Sequence, residues 1–157
     1  MKKLITVLTM TAAMIGCGAM TETSETERWS NNKVVMLSKQ QVNLESNLWI
    51  DKMPKVGETK ALVSEQVVFG SLNLSSPGQI PADLDVSKVV IKQGEQVWLL
   101  EDSDFELRNH SEQQWEVAFA WQIDVNTIQP VDIAVELEDG TQQVWLSQSN
   151  VEIDTVY

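Results

Sequence analysis

The densest group of residues able to do chemistry is Glu101-Asp102-Ser103-Asp104-Phe105-Glu106. Its carboxylates invite a calcium site built on Asp102, Asp104 and Glu106, because hard cations take oxygen ligands. In an extended strand these three share a face, but successive ones lie about 7 Å apart, too far to converge on one ion with ligands at about 2.4 Å. A loop would bring them together, whereas Phe105 and Leu107 offer a simpler reading, an inward apolar face with the acids outward. The spacing of an EF-hand loop is absent. The sole histidine, His110, stands in the turn-like stretch Asn109-His110-Ser111-Glu112. Adjacent serine and histidine side chains point apart in an extended segment, and no GxSxG nucleophile elbow occurs. Acid pairs for glycoside hydrolysis need only meet in space, yet a small sandwich has little room for a deep cleft.

Six tryptophans are many for 157 residues. Trp115 and Trp121 lie on one apolar face and read as core. Trp49, Trp98 and Trp145 have neighbours that let them face outward, where an aromatic ring stacks on sugar or anchors a protein partner. Trp145 and Trp98 are accordingly the expected partner-binding residues.

The charge and cysteine counts remove whole classes of function. The chain has 11 Lys+Arg against 23 Asp+Glu, a formal net charge of -12. Without a basic stripe it lacks the footprint that phosphate backbones require, so nucleic acid is not an expected partner, and anionic lipid headgroups would repel it. The single cysteine, Cys17, excludes an intramolecular disulfide, a thiolate zinc cluster and a CxxC redox pair. No cofactor is expected.

That cysteine closes a recognisable leader. Lys2 and Lys3 form a positive n-region, and Leu4 to Ile15 is an apolar or small-residue run shorter than the roughly 20 residues that span a bilayer. Met14-Ile15-Gly16-Cys17 resembles the lipobox of bacterial lipoproteins, with Met where Leu is more usual. The resemblance implies cleavage after Gly16 and lipidation of Cys17. Acyl chains contribute about 0.8 kcal/mol per buried methylene, enough in combination to hold an acidic protein on a membrane. Gly18 follows the cysteine, where an Asp commonly retains such proteins at the inner membrane of Gram-negative cells. The resemblance therefore implies the outer membrane, periplasmic face; in a Gram-positive cell it implies the outer face of the only membrane. Removing residues 1–16 takes away two basic and no acidic side chains, so the mature charge becomes about -14.

The elements that must carry these residues read as strands. Residues 17–32 are rich in Thr, Ser, Glu and Asn, which predicts a lipidated flexible tether. Trp29 interrupts it, and three placements stay open: docked on the domain, at the membrane interface, or in solvent. Over residues 33–157 the apolar period is two. Trp115, Val117, Phe119, Trp121 and Ile123 alternate with polar or small residues, the pattern of a central strand. Val131, Ile133, Val135 and Leu137 do likewise before Asp139-Gly140, which predicts a two-residue type I′ hairpin setting Val135 opposite Val144, Ile133 opposite Leu146 and Trp145 opposite Ala134. Gly94-Glu95 predicts a second tight hairpin between 86–92 and 96–100. Further strands are expected at 33–37, 41–44, 48–50, 66–74, 105–108 and 151–156, with turns at Met53-Pro54, Gly57, Pro77-Gly78 and Pro81. With no convincing three-turn helix and no tandem repeat, short strands predict an all-β antiparallel sandwich, immunoglobulin- or fibronectin-like, of about seven to nine strands, with a closed barrel as runner-up.

These readings converge on a membrane-tethered, non-enzymatic binding or accessory module of the bacterial cell envelope, working by contact with an envelope protein. A glycan- or metal-binding module, then a small hydrolase, are the competitors. Intact-mass analysis of membrane-extracted protein should show a chain beginning at a diacylated or triacylated Cys17. A Cys17→Ser variant should keep its leader. A soluble wild-type chain with a free thiol would overturn the expectation.

Overall fold

Alternation of apolar and polar residues gives each strand one face to bury, and two sheets bury such faces against each other. The computed structural model describes residues 25–53 and 66–157. Its strands are β1 (Val34–Leu37), β2 (Gln40–Asp51), β3 (Val67–Ser75), β4 (Asp85–Gln93), β5 (Gln96–Glu101), β6 (Phe105–Ser111), β7 (Gln114–Gln122), β8 (Val131–Glu138), β9 (Gln143–Val151) and β10 (Ile153–Val156). A six-stranded sheet runs β1-β2-β3-β7-β6, with β10 parallel to β2, and a four-stranded sheet runs β5-β4-β8-β9. The β-sandwich expected from the sequence is therefore the fold, with ten strands.

The ten strands exceed the seven to nine expected, and β2 organises one end of the larger sheet. It joins the pieces expected at 41–44 and 48–50, and two four-residue strands share its edge. Leu37 back to Val34 pairs with Gln40–Asn43, and Ile153–Val156 with Leu48–Asp51. Between them the Leu44 N–H donates to the Lys33 carbonyl at 2.8 Å, and the Ser46 N–H donates to Gln148 Oε1 at 3.0 Å. Two N–H groups of the edge between the short strands thus find partners.

The core holds the expected face of β7. Trp115, Val117 and Phe119 are buried, Ile123 follows beyond the strand end, and Trp121 packs half-buried at the rim. Val89, Ile91, Ile133, Val135, Leu137 and Leu146 of the four-stranded sheet belong to the same core. Gly70 stands directly opposite Phe119 in the β3–β7 register. A Cβ added to Gly70 would lie 2.1 Å from Phe119 Cζ, so the ring fills the space that any other residue's side chain would need.

The hairpin at Gly94-Glu95 forms as expected, with Gln93 paired to Gln96 and Gly94 at φ 59°. The one at Asp139 does not. Glu138 pairs with Gln143, leaving a four-residue loop, and the register moves by two: Val135 faces Leu146, Ala134 faces Ser147, and Glu136 faces Trp145. The cause is the Asp139 carboxylate, whose Oδ1 accepts the N–H groups of Thr141 at 3.1 Å and Gln142 at 3.0 Å and so holds the wider loop. An even shift leaves the buried face of β9 unchanged.

The tether expected to reach Asn32 gives way to a docked segment. Residues 25–28 form one helical turn. The Ser147 N–H then donates to the Asn32 carbonyl at 2.9 Å, Asn32 N–H donates to Ser147 Oγ at 3.1 Å, and Ser149 N–H donates to Asn31 Oδ1 at 2.9 Å. The leader 1–16, Cys17, residues 18–24 and the turns at Pro54 and Gly57 lie outside the described residues.

Phe119→Ala should destabilise the domain by about 3–5 kcal/mol, and Gly70→Ala by about 1–3 kcal/mol through overpacking. Because the new methyl enters the space the ring vacates, the double variant should be more stable than the two losses added together by at least about 1 kcal/mol in chemical denaturation. Additive losses would mean that the two positions do not share that space.

Candidate functional site

Each sheet has an outer face, and they differ in what covers them. On the four-stranded sheet Val90, Ala134 and Ser147 are buried although they alternate with core residues and point away from the core. The docked segment lies over this face. Arg28 Cζ sits 4.6 Å from the Trp145 ring centroid, and Lys92 Nζ sits 5.3 Å from the ring centroid of Trp29. Trp29 therefore takes the docked placement. Trp145 is outward on its strand as expected, but half-buried beneath an arginine of its own chain and opposite Glu136 rather than Ala134. Glu136 is buried, and its Oε2 accepts from Ser87 Oγ and Lys88 Nζ, each at 2.7 Å. The bulge between Val86 and Lys88 lets two successive residues reach this one carboxylate.

Trp98 turns the other way from its expected orientation. It pairs with Ile91 and packs on the core, while Val97 and Leu99 are the outward residues of β5, 53% and 45% exposed. Both faces of this edge strand are apolar in sequence, so alternation carries no direction there.

The outer face of the six-stranded sheet carries the most developed site. Trp49 of β2 and Phe69 of β3 are direct cross-strand neighbours, and their rings stack with centroids 5.8 Å apart and planes inclined by 12°. Phe69 is in turn opposite Ala120, Ser71 opposite Ala118, and Ala118 opposite Glu106. Two alanines on β7 thus lower the surface between an aromatic wall on β3 and a charged wall on β6. The result is an open depression of about 500 Å³, lined also by Asp104, Phe105, Arg108 and Glu116.

Charged side chains on its rim are tied together. Arg108 reaches Glu106 at 3.0 Å and Glu116 at 3.7 Å, and His110 Nε2 lies 3.0 Å from Glu116 Oε2. Ser71 Oγ donates to Glu116 Oε1. The Ser71 hydroxyl foremost, then the His110 hydrogen bond and the nearby cations, outweigh burial and hold the Glu116 carboxyl below its ordinary value. The order is serine, carboxylate, histidine. A nucleophile would need the imidazole beside the hydroxyl, and a carboxylate made less basic by its donors is a poor substitute.

The expected metal residues do not converge. Asp102 is exposed at the tip of the β5–β6 turn. Asp104 closes that turn, its Oδ2 accepting the Glu101 N–H at 2.9 Å. Glu106 points outward to Arg108. Among the described residues no three His, Cys, Asp or Glu side chains gather as a metal site. Phe69, Ala118 and Ala120 were not singled out by the sequence; the two outward alanines of 115–123 were the available signal, a gap in an otherwise large-residue sheet. Among the described residues no helix is long and apolar enough to cross a membrane. No protein-family model matches the chain, nor does any curated protein or solved structure.

A carboxyl lowered on folding stabilises the fold only while ionised: the contribution is complete above the ordinary value and is lost as pH falls through the lowered one. Ser71→Ala removes the foremost donor. The midpoint of Glu116, followed by its carboxyl-carbon NMR shift, should rise toward the ordinary range, and the acid-side loss of stability it causes should shrink. An unmoved midpoint would show that Ser71 does not hold it.

Proposed function

We propose that the chain is a membrane-anchored, non-enzymatic binding module of the bacterial cell envelope, acting by protein–protein contact through the outer face of the six-stranded sheet. The anchor rests on the lipobox resemblance at Gly16-Cys17, which in a Gram-negative cell implies the outer membrane, facing the periplasm, and in a Gram-positive cell the outer face of its only membrane. The contact face rests on one observation: a stacked aromatic pair beside an open, alanine-floored depression. Large rings next to a recess are what interface anchors require, because a partner side chain entering the recess is desolvated against them. Trp145 and Trp98, the residues the sequence favoured, are respectively covered in cis and turned to the core. The contact role therefore passes to Trp49 and Phe69.

A photo-crosslinking residue placed at Ala120 in the lipidated protein in cells should form a discrete adduct, and one at Trp145 should not. Phe69→Ala should abolish the Ala120 adduct while costing about 1–2 kcal/mol of stability, less than Phe119→Ala and too little to unfold the domain. Equal adducts from both faces, or an Ala120 adduct indifferent to Phe69, would overturn this assignment.

A further inference from the structure

Resting on that reading of the contact face, we infer that the depression takes a cationic side chain, arginine or lysine, of a basic polypeptide partner. Three observations converge on this occupant. The first is shape. The floor is a single strand, β7, flanked by β3 and β6, so the aromatic and charged walls stand about 10 Å apart. That width admits a planar guanidinium or a lysine stem lying against Phe69 while its head reaches the carboxylates opposite.

The second is charge. Asp104, Glu106 and Glu116 line the depression against one cation, Arg108, which is already held by Glu106 and Glu116. The Glu106 side chain is 67% exposed, and its carboxylate has acceptor sites left beyond the Arg108 contact. The chain as a whole carries -12. Such a field draws basic partners and repels anionic glycans, lipid headgroups and nucleic acid.

The third lies in the chain's other outer face. There both tryptophans are topped by a cation from the same chain, Arg28 over Trp145 and Lys92 over Trp29. Among the described residues no lysine or arginine stands over Trp49 or Phe69. An incoming cation would make the same contact at this pair, and it is worth more when shielded from water.

The test uses the full-length lipidated protein in neutral detergent micelles, with three probes: blocked hexa-arginine, blocked hexaglutamate and the neutral sugar chitotetraose. Binding is followed by the indole N–H resonance of Trp49 and by calorimetry. Hexa-arginine should move the Trp49 resonance, bind more weakly as salt rises, and lose about tenfold in affinity in Phe69→Ala and in Glu106→Gln. Glu95→Gln, which removes a charge from a turn of the other sheet, should leave the affinity unchanged. Equal losses in Glu95→Gln and Glu106→Gln would mean diffuse attraction and overturn the inference. So would a Trp49 shift with chitotetraose that salt does not affect, or with hexaglutamate. If no probe moves Trp49 while the Ala120 crosslink persists, the cationic occupant fails and the contact face stands. If the crosslink is also absent, both fail.

Discussion

One buried carboxylate sets much of what the two outer faces become. Asp139 is 2% exposed, and five hydrogen bonds converge on its carboxylate: from the Thr141 hydroxyl and the N–H groups of Thr141 and Gln142 on Oδ1, and from Ser38 Oγ and Gln142 Nε2 on Oδ2. Those bonds, the Thr141 hydroxyl foremost, hold it far below its ordinary range despite burial. The Ser38 contact crosses between sheets, because Ser38 and Lys39 form the two-residue turn joining β1 to β2. Both take positive φ, 46° and 66°, in a turn with no glycine. Asparagine and glycine are the residues that make such a turn cheaply. Here a hydrogen bond from the opposite sheet helps hold a serine in its place.

The same carboxylate holds the β8–β9 loop at four residues, and the register that follows assigns the neighbours of Trp145. Opposite Glu136, the ring lies beside a carboxylate already committed to Ser87 and Lys88, and Arg28 closes over it. Arginine suits this position because its flat guanidinium stacks on an indole at little cost in hydration. The outer face of the four-stranded sheet is thereby occupied by the chain's own residues 25–32. Among the described residues, the stacked Trp49–Phe69 pair and its alanine floor border an open depression on the other outer face.

What could be read in the sequence follows from how local each determinant is. The buried face of β7 depends only on alternation along one strand, and the turn at Gly94 only on adjacent residues, so both were legible. The β8–β9 register was not, because the competition between a two-residue and a four-residue loop is decided by Thr141 and Gln142 binding back to Asp139. Trp98 was not, because a strand apolar on both faces gives its period no sign. The depression is the least local feature: Trp49, Phe69, Ala120 and Glu106 meet only once β2, β3, β7 and β6 are set side by side, and the β3–β7 pairing spans residues that are remote in sequence. Ala118 and Ala120 mattered by what they lack, and a missing side chain becomes a recess only when its cross-strand neighbours are known to be large.

The position of the chain's entry gives the two faces different work. Residues 25–32 arrive on the outside of the four-stranded sheet and bond to β9 before passing to β1 at the edge of the other sheet. Two packed sheets put about 10 Å of core between their mean planes, so the side on which the chain enters and the side bearing the depression face in opposite directions. On the lipoprotein reading, the anchor lies upstream of residues 25–32, which sit on the outer side of the four-stranded sheet. Around Trp145 that side is covered by the chain's own cations and hydrogen bonds, while Val97 and Leu99 stay exposed along its β5 edge; the opposite face carries the stacked Trp49–Phe69 pair beside its recess. On the proposed reading, covering the four-stranded sheet around Trp145 in cis and setting the aromatic pair beside a recess on the other sheet turns the binding face of a small acidic sandwich away from the side on which the chain enters.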